Sequence, residues 1–281
     1  MSQRLKKFLN FVRIEHTLFS LPLIYSGAFL AAKAPPSIWL LGLILLAGAG
    51  ARTVALTLNR IIDREIDRRN PRTSVRELPS GRMNLLEATT VLAIGVAVYL
   101  SSAALISLFC LFLSPLPLVI FALYPYMKRF TVFAHFGVGL GLAMAPLAGW
   151  FAIQQSFENV LPGLLLSLFT LCWVTGFDII YSTLDEFFDR EQNLYSFTAR
   201  YGKKTALRIS GFLHVAAFGI LALLFLIYIR AVASLPFLML SGFLLCLEHK
   251  KAEDVELAFF KINAVLGFVV LGMVLVGVYF P

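Results

Sequence analysis

Nine apolar stretches take up most of this chain and decide what it can fold into. They are His16–Ala32, Ser37–Ile62, Leu85–Ile106, Leu108–Met127, Val132–Ile153, Leu161–Leu184, Ala206–Ile229, Val232–Leu247 and Leu257–Tyr279. A helix of about 20 apolar residues crosses a bilayer. The chain is 59% hydrophobic and 14% charged over 281 residues, whereas a soluble domain is about a quarter charged. The expected fold is an all-α membrane protein with nine transmembrane helices, forming one integral-membrane domain over residues 1–281. Pro35 and Pro36 divide the first two runs, and no clear turn divides the third from the fourth.

The net charge of +8 is distributed loop by loop. Arg4, Lys6, Lys7 and Arg13 precede the first run. An arginine cluster follows the second, Lys128 and Arg129 the fourth, Arg190, Arg200, Lys203 and Lys204 the sixth, and Lys250 and Lys251 the eighth. The alternate gaps hold little beyond Lys33 and Arg230. Basic loops stay on the cytoplasmic side. A multi-pass protein of the cell membrane is expected, with N-terminus and arginine loops cytoplasmic and C-terminus outside. Basic residues in short loops between apolar runs leave nucleic acid out as a partner. Cys110, Cys172 and Cys246 match no metal spacing and read as packing residues. The N-terminal MSQRLKKFLNFVRIEHTLF reads as an amphipathic lead-in lying on the bilayer, not as a signal peptide.

The second run ends in polar residues at a fixed interval. Asn59, Asp63 and Asp67 are four apart, which stacks their oxygens along one helix face. A loop with Arg68, Arg69, Arg72, Arg76 and Arg82 follows. The pattern returns 122 residues later, where NRIIDREIDR is echoed by YSTLDEFFDR, matching Asp63 to Asp185 and Asp67 to Asp189. Repeats that converge on one site are common in membrane proteins. Magnesium takes a few carboxylates and fills its remaining positions with water and phosphate oxygens. Two facing ladders therefore suit two magnesium ions and a diphosphate between them. Asn59, Asp63, Asp67, Asp185 and Asp189 are the candidate metal ligands. Arg72, Arg76, Lys128 and Lys204 are candidates for the phosphate charge, joined by Tyr124, one turn before Lys128, and by Tyr181, which opens the echo.

Other readings compete. The first ladder alone is also what a solvated helix end paired with Arg60 and Arg64 looks like. The second ladder argues against that, because acids at membrane depth usually mark function. Arg52 lies two turns before Asn59, about 10 Å deeper at helical rise. A buried guanidinium needs an anion, either Asp178 or the carboxylate of an acidic substrate. His16, His135, His214 and His249 show no ligand spacing and read as structural.

These motifs resemble the UbiA superfamily of membrane prenyltransferases, which carries NxxxDxxxD on its second helix and a DxxxD-type motif on its sixth. Here they read Asn59/Asp63/Asp67, then RNPRTSVRELPSG, then FDIIYSTLDEFFDRE. The opening RIEHTLFSLPLIYSGAFLA is similar to the branch acting on 4-hydroxybenzoate. The resemblance implies nine helices around a central cavity. It implies magnesium-dependent transfer of a prenyl group from a prenyl diphosphate to 4-hydroxybenzoate or a related aromatic acid, in quinone or lipid biosynthesis. Asp63, Asp185, Arg52 and Lys128 would be catalytic, and Asp178 matches an acidic position of the family. EFFDRE departs from the denser acidic run of some members. A glycerol ether phospholipid precursor or haem is the alternative acceptor. A cation-coupled transporter is the alternative outside enzymes, although its acids would sit nearer the midplane.

Overall fold

A computed structural model of the chain describes residues 11–12, 17–32, 34–254 and 261–280. Among them every regular element is helical. The longer helices are α1 (Thr17–Ala31), α2 (Ile38–Ile62), α4 (Leu85–Ile106), α6 (Pro115–Met127), α7 (Ala134–Gln154), α8 (Leu161–Ser182), α10 (Phe197–Leu224), α11 (Leu235–Lys250) and α12 (Asn263–Tyr279). Three six-residue helices lie between them: α3 (Arg64–Arg69), α5 (Leu108–Leu113) and α9 (Glu186–Glu191).

Seven helical segments among the described residues are long and apolar enough to cross a membrane. Helices α1 and α12 fall where the first and ninth spans were expected but are shorter, at 15 and 17 residues. The outer ends of those expected spans, His16 and Leu257–Phe260, lie outside the described residues, as does most of the expected N-terminal lead-in.

Local chemistry explains the boundaries. Ser37 caps α2 by accepting from the Leu40 amide at 3.2 Å. Asn84 and Glu87 close a capping box at the start of α4, satisfying amides that have no partner inside the helix. The third and fourth spans part at a single residue. Ser107 is extended (φ −171°), ending α4 and capping α5 through its hydroxyl. The seventh span begins nine residues earlier than expected. Ser196 caps a first turn at Phe197, and Gly202 then takes a positive φ of 77°, a conformation that disfavours residues with a Cβ.

Helix α8 is the axis of the bundle. Of its apolar stretch 72% is buried, against 17–39% for the other six spans. Leu166, Phe169, Trp173 and Val174 pack there with Leu221 and Leu224 of α10 and with Leu266, Val270, Met273 and Val274 of α12. A buried polar chain ties α8 to α12 and α11. The Trp173 indole donates to Asn263 Oδ1 at 2.7 Å, and Asn263 Nδ2 donates to Glu248 Oε1 at 2.8 Å.

Candidate active site

Both ladders are built the same way. Helix α2 stops at Asp63 (φ −92°, ψ 5°) and α3 starts beyond it, while Asp185 (φ −111°, ψ 5°) stands immediately before α9. The four-residue register survives, because the Asp67 amide donates to Asp63 O and the Asp189 amide to Asp185 O, each at 2.8 Å. The 122-residue echo is thus an echo of backbone as well as of sequence.

The two ladders face one cavity of about 360 Å³. Asn59, Asp63, Asp67, Arg72, Arg76, Tyr124, Lys128, Asp178, Tyr181, Asp185 and Asp189 all line it. Three of the four ladder acids, Asp63, Asp67 and Asp185, hold a cation of the chain itself. Lys128 Nζ lies 2.7 Å from Asp63 Oδ2, which also accepts from Asn59 Nδ2 at 3.0 Å. Arg76 Nη1 lies 2.8 Å from Asp67 Oδ2. Arg72 forks onto Asp185 through Nε and Nη2, donates to the Tyr181 hydroxyl at 2.6 Å and covers the Tyr181 ring. Asp63 and Asp67 are 1% and 6% exposed, so they are not a solvated helix end. Arg60 and Arg64 turn elsewhere, Arg60 to Glu77 at 2.8 Å and Arg64 to Glu65 at 2.8 Å.

Burial pushes the Asp63 carboxyl above its ordinary pKa, with Lys128 offsetting only part of the cost. Burial does the same to Asp189, against a hydrogen bond from Ser196. Burial opposes the charge on Arg72, but its hydrogen bonds and charge interactions with Asp185 and Tyr181 together outweigh it and raise its pKa. Two acids shifted in this way on one cavity are the kind of perturbation found at functional sites. Asp63 Oδ1 is buried and accepts no hydrogen bond. Carboxylate and amide oxygens suit a hard divalent ion. Among the described residues no three acids, imidazoles or thiols are placed to hold an ion as they stand. The residues therefore fit magnesium by donor type, and loading requires the guanidiniums and the ammonium to move off.

A second cavity of about 260 Å³ lies beside the first and shares Leu56, Tyr124, Val138 and Asp178 with it. Its walls are apolar, with Leu21, Ile24, Phe121, Leu142 and Phe177 among them. Arg52 lines this cavity and not the polar one. Asp178 does not hydrogen-bond Arg52; its Oδ2 pairs with His135 Nδ1 at 2.7 Å. Lys204 is exposed on α10 and lines neither cavity. The segment expected as a loop is already helical there, and Lys204 follows the Gly202 kink facing outward.

A model of the UbiA prenyltransferase family matches residues 20–265. The chain belongs to this family. A mitochondrial 4-hydroxybenzoate polyprenyltransferase from Arabidopsis thaliana is 30% identical over 184 residues, covering 65% of this chain. The chain spans only 43% of that relative's length. The apo structure of a UbiA homolog from Aeropyrum pernix K1 superposes with a TM-score of 0.87 at 34% identity, covering 94% of this chain and 98% of that one. A UbiA homolog from Archaeoglobus fulgidus, solved bound to GPP and Mg2+, gives 0.69 at 20% identity, covering 95% and 99%. At that identity the likeness is one of fold.

Two residues of this UbiA site escape a reading of the sequence. Asn70 donates to Asp185 Oδ1 at 2.8 Å and crosses from one ladder to the other. Its signal is the Asn-Pro pair directly before Arg72, which marks a turn. His135 leaves no signal, because its partner is 43 residues away on another helix.

Proposed function

We propose that this protein transfers a prenyl group from a prenyl diphosphate to an aromatic acid, with 4-hydroxybenzoate the first acceptor to test. The observation that carries this reading is the pair of ladders, each with its own basic partner, facing one polar cavity that adjoins an apolar one. Asn59, Asp63, Asp67, Asp185 and Asp189 would hold two magnesium ions. Bound magnesium supplies positive charge to the leaving pyrophosphate. Arg72, Arg76 and Lys128 turn from the aspartates to the phosphate oxygens and add to that charge. The apolar cavity receives the allylic end of the prenyl group and keeps water from the carbon where charge develops.

Arg52 gives the acceptor its place. A guanidinium on an apolar wall pairs well with a carboxylate, and a ring anchored there sits between Arg52 and the polar cavity. The Arabidopsis relative, a 4-hydroxybenzoate polyprenyltransferase, supports this acceptor. The Archaeoglobus homolog, solved with GPP and Mg2+, supports the metal and the diphosphate. The alternating basic loops support a cytoplasmic site.

The test is incubation of purified protein with magnesium, geranyl or geranylgeranyl diphosphate and a panel of acceptors, followed by mass spectrometry. The panel includes 4-hydroxybenzoate, a glyceryl phosphate ether and haem. Prenylated 4-hydroxybenzoate with matching pyrophosphate release, lost with a chelator, is expected. Prenylation of the ether or haem alone would replace the acceptor, and no product with bound diphosphate would overturn prenyl transfer.

A further inference from the structure

Asp178 differs in its partner from Asp63, Asp67 and Asp185. Asp63, Asp67 and Asp185 each hold a lysine or arginine, whereas Asp178 holds a histidine. His135 Nδ1 lies 2.7 Å from Asp178 Oδ2. A carboxylate only accepts, so Nδ1 carries the hydrogen of this contact. Nε2 is buried and has no hydrogen-bond partner. The Phe197 ring stacks on the imidazole at 5.7 Å and 26°, which fixes its plane. The two helices meet closely enough for this pair because residue 139 is glycine. A Cβ there would lie 2.2 Å from Thr175 Oγ1 and 2.9 Å from Leu171 O.

Position gives the pair a use. Asp178 lines both cavities, as does Tyr124, whereas His135 lines only the polar one. The acid therefore stands where the acceptor ring and the allylic carbon would meet, on the aromatic-acceptor reading above. Lysine and arginine partners hold a carboxylate as a fixed anion. A histidine partner orients it without supplying a permanent charge, which leaves it able to take a proton.

We propose that Asp178 accepts the ring proton in prenyl transfer and that His135 is the residue that positions it. The bond from the allylic carbon to the diphosphate oxygen breaks, and its electron pair leaves with pyrophosphate. A ring carbon beside the hydroxyl forms the new carbon–carbon bond. The proton on that carbon passes to the free oxygen of Asp178, and the carbon–hydrogen pair restores the aromatic ring. Asp178 then releases the proton to water in the polar cavity. His135 keeps its Nδ1 hydrogen bond throughout and holds the carboxylate rotamer.

The experiment compares wild type, Asp178→Asn, His135→Gln and His135→Ala with 4-hydroxybenzoate, unlabelled or deuterated at both carbons beside the hydroxyl. Losing a positioned proton acceptor costs about 10²–10⁴-fold in rate, so Asp178→Asn should lower kcat by that much with both KM values held. His135→Ala should lower kcat by a smaller factor, and His135→Gln, which can still donate to Asp178, should recover part of it. In the slowed variants proton loss limits turnover, so a deuterium isotope effect should emerge that wild type lacks. Manganese and pyrophosphate binding, read by electron paramagnetic resonance, should stay at wild-type values in all three. A slowed variant without an isotope effect, or a loss that tracks manganese binding, would overturn the assignment and leave His135–Asp178 as a tie between helices. If wild type prenylates no aromatic ring, the aromatic-acceptor reading falls and the proton assignment falls with it.

Discussion

Removing the Arg72 guanidinium should move metal affinity and diphosphate affinity in opposite directions. Arg72 forks onto Asp185, and Asn70 donates to the same carboxylate. A metal ion that takes Asp185 must displace Arg72 first. The two side chains are 31% and 17% exposed, so the pair lies between a surface bridge and a buried one, worth about 1–2 kcal/mol. Arg72→Ala should therefore tighten manganese binding without diphosphate by roughly five- to thirtyfold. The same change removes a charge-assisted contact to the diphosphate, about 1.5–3 kcal/mol, and should weaken pyrophosphate binding to the metal-loaded protein by roughly 10- to 150-fold. Titration of purified protein in detergent, with free manganese read by electron paramagnetic resonance and pyrophosphate heats by calorimetry, gives both constants. Weaker manganese binding in Arg72→Ala without diphosphate would show that Asp185 does not exchange Arg72 for a metal ion, and would refute the reasoning.

Arg52→Ala should raise KM for 4-hydroxybenzoate by a factor corresponding to about 2–5 kcal/mol, with little change in prenyl diphosphate binding; an equal loss for both substrates in steady-state assays would return Arg52 to a structural role. Gly139→Ala should lower thermal stability by about 1–3 kcal/mol through overpacking of α7 on α8, and adding Thr175→Ala should recover part of the loss, as read from melting in detergent. A cysteine placed in the 68–81 loop of a cysteine-free variant should resist an impermeant thiol reagent added outside intact cells. Ready labelling there would reverse the orientation drawn from the basic residues.

The ladders are legible in the sequence because their information is local. A four-residue spacing is a helix-face statement whatever surrounds it, and the second copy, 122 residues on, selects the functional reading over the surface one. The apolar runs are legible for the same reason: lipid leaves a helix as the available way to pair the backbone. What stays hidden depends on partners far apart in the chain. Asp63 and Asp185 sit at helix breaks that no glycine or proline announces. Asn70 and His135 act through residues 115 and 43 positions away. Lys204 misleads because its expected rim position depends on a loop boundary, and the Ser196 cap moves that boundary. Ser107 divides two spans with a single extended residue, a break that its apolar surroundings conceal.

The central claim is that the two ladders work as one metal–diphosphate site, and pyrophosphate release by Asp63→Ala and Asp185→Ala tests it most directly. Each variant should elute as a folded protein in detergent yet release no pyrophosphate from geranyl diphosphate, with 4-hydroxybenzoate present, at saturating magnesium. Release at the wild-type rate from either variant would contradict the claim.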